Sequence, residues 1–277
     1  MDSASTGDAR LPEYAAEMAA FHQAFSGELR AIIGSLPLHA AMRVADVGCG
    51  DGFYTGLLAE RLAATGELAG IDANEKYLDL ARQNPQVRAA RCPVQFIHGR
   101  LEELSLASDW DFVWCAQSLY SLPEPVTAVR QMASLLRPGA LIAVLENDTL
   151  HQLLLPWPSH VEISLRVAEY EALASEQRPS KYYIGRRLPA VLAEAGLEPL
   201  GFRTQCIDRR APFDDSLRKF VQLYLERTAD QVLSRLSQRL AQELKQLIDP
   251  RSEPYLLDQP HATLSCVNVL AWGRKPA

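Results

Sequence analysis

The chain has 277 residues, 48% hydrophobic and 22% charged, with a net charge of −6 and a pI near 5.6. That describes one globular domain, or a domain with an insertion, able to bury a full core. The acidic balance argues against nucleic acid as a bulk partner, and no apolar run approaches the ~18 residues of a membrane-spanning helix. The five cysteines are scattered without a CxxC pair, so neither a zinc site nor a disulfide framework follows and no metal is expected.

Residues 1–10 are small and polar, carry acids and lack an apolar core. They read as a disordered tail rather than a signal peptide, which leaves the cytoplasm as the expected setting. From Pro12 to about Gly34, Tyr14, Met18, Phe21, Phe25, Leu29, Ile32 and Ile33 recur at three- and four-residue steps, the pattern of one helix. Residues 1–34 thus read as a tail and one helix.

The next stretch is Val44-Ala45-Asp46-Val47-Gly48-Cys49-Gly50-Asp51-Gly52-Phe53-Tyr54-Thr55. An apolar run ends in a carboxylate and then in glycines at alternate positions, with a helical pattern from Tyr54 to about Ala64. This is strand, tight turn, helix. Glycine tolerates positive φ and leaves bare backbone for a ligand at the helix start. The spacing is G-x-G-x-G, not the G-x-G-x-x-G of a dinucleotide site, and no Lys-Ser/Thr follows as in a P-loop. Asp46 and Asp51 make an acidic collar, better suited to a cationic, phosphate-free ligand. Leu68-Ala69-Gly70-Ile71-Asp72-Ala73-Asn74 is a second strand ending in an acid, placed where a carboxylate accepts both hydroxyls of a ribose.

Glu75 to Asn84 reads as a helix cut off by Pro85, and Val94 to His98 as a third strand running into Gly99, Arg100 and Leu101. Asp109 to Pro123 contains a fourth strand, whose exit places Cys115, Ala116 and Gln117 at the ligand crevice. A helix over Val126–Leu136, an Arg137-Pro138-Gly139 turn and a strand over Ala140–Leu145 lead to Glu146-Asn147-Asp148. Residues 151–180 change character: Pro156, Trp157, Pro158 and His160 mark a loop, and Val161–Glu176 a helix. Residues 181–277 complete the core. They hold a helix after Tyr182-Tyr183-Ile184-Gly185-Arg186-Arg187, a strand from Leu197 to Asp208, and a long helical stretch over Leu217–Leu247 broken near Arg227-Thr228. A last strand covers Ala262–Trp272.

The glycine turn and the Asp72 strand together resemble the class I S-adenosylmethionine-dependent methyltransferases, over roughly residues 40 to 150. The resemblance implies an α/β fold: a Rossmann-like, seven-stranded, mostly parallel sheet flanked by helices, its last strand antiparallel, with a helical cap at 151–180 beside the 35–150 cofactor-binding core. It implies S-adenosyl-L-methionine as cofactor, with the helix of residues 1–34 as a lid over its pocket in which Tyr14, Phe21 and His22 are candidate lid residues or part of a core-facing stripe. Asp46, Gly48, Cys49, Gly50, Tyr54, Asp72, Ala73, Tyr77 and Gln117 are then its candidate contacts, with the backbone of Arg100 or Leu101 at the adenine. Relatives commonly carry an acid where this chain has Arg100, so side-chain recognition is not expected there.

Methyl transfer is an in-line displacement that needs alignment and exclusion of water more than a fixed catalytic signature. Candidate catalytic groups are Glu146 as base, Tyr120 and His151; candidate substrate contacts are Tyr14, Tyr182 and Arg186. Arg186 stands at a helix start, an uncomfortable place for a cation, so it either receives an anionic substrate group or bonds a nearby acid such as Glu146 or Glu169. The aromatic cap residues suggest an organic acceptor with an apolar body. The reading is methylation at O, N or C of a small metabolite by a monomer or homodimer. A protein methyltransferase, a nucleotide-dependent oxidoreductase and a non-catalytic cofactor-binding subunit are the alternatives.

Overall fold

A computed structural model describes residues 11–104, 107–122, 124–148, 151–175 and 183–277. The tail at 1–10, Tyr182 and the end of the expected cap lie outside them.

The expected first helix is two. Helix α1 covers Ala15–Ala24 and α2 covers Ser26–Gly34, with Phe25 leaving helical geometry at φ −118° and ψ 18°. Both apolar faces still turn inward: Phe21, Phe25, Leu29 and Ile32 are buried. Strand β1 (Arg43–Val47) enters the glycine turn, and α3 (Phe53–Ala59) leaves it, shorter than its sequence pattern. Strand β2 (Glu67–Asp72) is followed by α4 (Glu75–Gln83), which the Asn74 side chain caps. Pro85 does stop α4, and it also opens the short α5 (Pro85–Arg88). Proline suits a first helical position, where its missing N–H would have no partner.

Strands β3 (Val94–His98) and β4 (Trp110–Ala116), helix α6 (Pro125–Leu135) and strand β5 (Leu136–Glu146) follow. The Arg137-Pro138-Gly139 turn lies inside β5, beside a register shift against β4, so the strand is longer than expected. A two-residue strand β6 (Leu153–Leu154) precedes α7 (Ser159–Ser175). Then come α8 (Ile184–Glu194), β7 (Glu198–Arg210) and α9 (Asp215–Val232). Helix α9 runs unbroken through Arg227-Thr228. The break comes at Leu233–Ser237, where the Ser237 side chain caps α10 (Gln238–Ile248). Strand β8 (Thr263–Arg274) closes the chain.

The strands form one sheet in the order β3-β2-β1-β4-β5-β8, with β7 along the other edge of β8 and β6 continuing the β5 edge. Strands β1 to β5 are parallel to one another; β8 is antiparallel to β5, β6 and β7. The small β6 makes the strand count eight. One core layer joins α1, α2, α3 and α9 to the sheet, and the other holds α6 and α8. The chain order reverses between β1 and β4, and the crevice beyond their C-terminal ends is where such sheets take ligands. Among the described residues no helix is long and apolar enough to cross a membrane.

Candidate active site

The glycine turn closes on the end of β2. The amides of Gly48 and Cys49 both donate to the Ile71 carbonyl, at 2.8 and 3.1 Å. At Gly48 (φ +73°) a Cβ would stand 2.4 Å from Ser118 Oγ, so only glycine lets β1 and the exit of β4 approach. At Gly50 (φ +53°) the place of a Cβ is open space, and bare backbone faces the crevice there. The Gly50 amide donates to Asp72 Oδ2 and the Asn74 amide to Asp72 Oδ1, each at 2.9 Å. The Asp72 carboxylate is thus fixed at both oxygens, with lone pairs left over for a ligand. Burial raises its pKa, and the two amides pull it back.

These groups line a cavity of about 570 Å³, within the range of sites for drug-sized ligands. Gly48, Cys49, Gly50, Tyr54, Asp72, Ala73, Tyr77, Arg100, Gln117 and Tyr14 all stand in its wall. Two expected contacts do not. Asp46 lies beneath the turn, 1% exposed, where Thr55 Oγ1 donates to its Oδ2 at 2.6 Å. Burial pushes that acid up to about 7. Leu101 packs into the core behind the wall. The Arg100 guanidinium is taken up by Glu102.

A second cavity, of about 250 Å³, shares Tyr14, Met18 and Gln117 with the first. Tyr120 and Glu146 line it as well. Glu146 Oε1 accepts the amides of Ser118 and Leu119 at 3.0 and 2.6 Å, which cap the helical turn at the exit of β4. Burial dominates and raises the Glu146 carboxyl to about 8; it likewise raises the Tyr120 phenol. His151 and Arg186 line neither cavity. His151 sits 6.2 Å from the Tyr183 ring. Arg186 is paired with Asp148 through Nε and its own backbone amide, and it stacks over Tyr183 at 4.7 Å. Its partner is therefore a neighbouring acid, though not Glu146 or Glu169. Of the cap aromatics, Trp157, Tyr170 and Tyr183 also stand outside both cavities.

Several wall residues had no local sequence signal. Tyr224, Arg227 and Gln231 of α9 face the second cavity with Glu17 of α1 and Glu169 of α7. Arg227 grips Glu17 with two nitrogens, at 2.5 and 3.0 Å. The available hint was Glu17, a carboxylate beside Met18 of the apolar stripe. His22 lines the first cavity, stacked on Phe53 at 4.1 Å, whereas Phe21 is core. Ser118, directly after Gln117, bonds the Gly48 carbonyl.

A methyltransferase-domain family matches residues 38–196, more than half of the chain and all of β1 to β5. The chain belongs to this methyltransferase-domain family. The methyltransferase domain is 28% identical over 118 residues to a demethylmenaquinone methyltransferase of Staphylococcus aureus, covering 42% of the chain and 48% of that relative. It is 36% identical over 106 residues to a ubiquinone biosynthesis O-methyltransferase of Aromatoleum aromaticum, covering 37% and 43%. The matches span less than half the length of these curated relatives. A solved methyltransferase from Thiobacillus denitrificans, in complex with S-adenosyl-L-homocysteine, shares the fold at a TM-score of 0.52 and 18% identity, over 94% of this chain and 98% of that one. The chain thus shares the expected Rossmann-like fold.

Proposed function

We propose that the protein binds S-adenosyl-L-methionine in the larger cavity and methylates a nitrogen, oxygen or carbon atom of a small organic acceptor held in the smaller one. The observation that carries this reading is the pairing of the open Gly50 backbone with a doubly anchored Asp72 carboxylate in a wall of ligand size, next to a second chamber. Asp72 would hold the ribose hydroxyls. Tyr77, with the backbone at Arg100, would flank the adenine. Acids and aromatic rings, rather than cations, suit a sulfonium ligand.

When bound, the cofactor supplies a methyl group on positively charged sulfur and leaves as the neutral thioether. The protein's task is to position the acceptor, exclude water and take the proton an N–H or O–H acceptor sheds. Glu146 takes that proton in this reading. It is fixed by two amides, it lines the acceptor chamber, and its ionised form gains population as pH rises towards about 8. The names of the curated relatives support a quinone-type ring among candidate acceptors. The same reading takes the protein as a cytoplasmic monomer or homodimer without a nucleic-acid or membrane partner.

The test is calorimetric titration with S-adenosyl-L-methionine and S-adenosyl-L-homocysteine, with NADP as control. Both sulfur ligands should bind and NADP should not. Asp72→Asn keeps an oxygen for one anchoring amide but loses the charge and an acceptor, and should weaken binding by about 1.5–3 kcal/mol. No binding of either sulfur ligand, or equal affinity in the variant, would overturn the reading.

A further inference from the structure

We propose that the smaller cavity takes a methyl acceptor that donates hydrogen bonds and carries no negative charge, an amine or hydroxyl compound, and that Gln117 Oε1 receives its donor. This rests on the larger cavity being the cofactor site.

A relay of amides sets the orientation of Gln117. The Val267 carbonyl can only accept, so the Asn147 atom 2.6 Å from it is the nitrogen, Nδ2. That nitrogen also reaches Asn268 Oδ1 at 3.1 Å. Asn147 Oδ1 therefore faces the other way and accepts Gln117 Nε2 at 3.2 Å. Among the described residues, Gln117 Oε1 is left as a buried acceptor without a partner. The residue lines both cavities and holds a left-handed backbone, φ +50°, tied by its amide to the Leu145 carbonyl at 2.8 Å. A non-glycine residue in that region is strained, and a buried unpaired acceptor is unfavourable. A ligand N–H or O–H at the junction of the two cavities relieves the second of these.

Charge excludes the opposite class. Arg227, in the chamber wall, is held by both oxygens of Glu17. Arg166, behind the wall, is held by Glu169 at 2.8 Å. Both guanidiniums are thus committed to carboxylates. A carboxylate or phosphate acceptor would meet the Glu17–Arg227 and Glu169–Arg166 pairs, with no uncommitted cation among these groups to receive it. The remaining wall amides, Gln152 and Gln231, suit a polar, uncharged or cationic body better than an apolar tail.

The experiment uses the full chain saturated with S-adenosyl-L-homocysteine, so that cofactor affinity does not enter. Matched aromatic fragments bearing amino, hydroxyl, carboxylate or methyl ether groups are screened by ligand-observed NMR, and binders are titrated by calorimetry. Binding should be confined to the amino and hydroxyl fragments. Gln117→Met should lower their affinity at least about tenfold, the loss of one ligand hydrogen bond. Carboxylate or ether fragments binding as well as the donors would overturn the proposal. So would an unaffected Gln117→Met variant, or no fragment of any class binding to the saturated protein. Saturation itself shows that the cofactor reading has survived, so the two failures are distinguishable.

Discussion

Replacing Glu146 by glutamine tests the protonation state on which the acceptor chamber depends. Glu146 is 1% exposed, and burial lifts its carboxyl to about 8 against the pull of the Leu119 and Ser118 amides. In an unfolded chain it titrates near ~4.3. Between those values the folded protein holds a proton that the unfolded chain has released, so stability falls as pH rises. The contribution is fully present below about pH 4 and lost on passing about pH 8; at ~1.36 kcal/mol per pH unit it is on the order of 5 kcal/mol. Asp46, raised to about 7 by burial, adds a slope of the same sign to both proteins and cancels from their difference. Glutamine keeps an oxygen for the two amides and cannot ionise. Urea unfolding from about pH 5 to about pH 9 should show Glu146→Gln gaining on the wild type by roughly 3–4 kcal/mol across the range. Parallel stability curves would mean that Glu146 ionises freely in the fold, and its role as a proton acceptor poised near neutral pH would go with them.

Gly50→Ala should fold with a loss of about 1–2 kcal/mol, the penalty of a left-handed alanine, because the added methyl meets no protein atom within 4 Å. Its affinity for S-adenosyl-L-homocysteine should fall by more than about tenfold by calorimetry, since the methyl takes ligand space; unchanged affinity would show that no ligand lies there. Arg227→Met should lower stability by about 2–4 kcal/mol in urea unfolding by stranding Glu17, while Glu17→Leu with Arg227→Met recovers most of the loss. A single variant as stable as the wild type would show that the pair holds nothing together.

Strands β1 and β2 were legible because each is a short apolar run ending in an acid and a turn, and the pattern depends only on neighbours in sequence. The same holds for Asp72 and the glycines, whose geometry is set within a few residues. The break at Phe25 was not legible, because an apolar stripe continues across it and both short helices bury their faces in one core. The helix end after Val232 was misplaced by several residues, since the Ser237 cap competes with an unbroken apolar seam. Arg186 misled for an electrostatic reason. A cation at a helix start is disfavoured in isolation, but Asp148, 38 residues earlier in the chain, arrives there through the fold. The α9 wall was hidden most completely: Arg227 and Glu17 are 210 residues apart, and no local pattern announces their meeting.

That long-range grip has a consequence for how the protein can change. The glycine turn, Asp72 and Gln117 fall within the stretch the family matches, whereas Glu17, Tyr224, Arg227 and Gln231 fall outside it. Substitutions at Tyr224, Arg227 and Gln231 of α9 can therefore change the wall of the small chamber without touching the glycine turn.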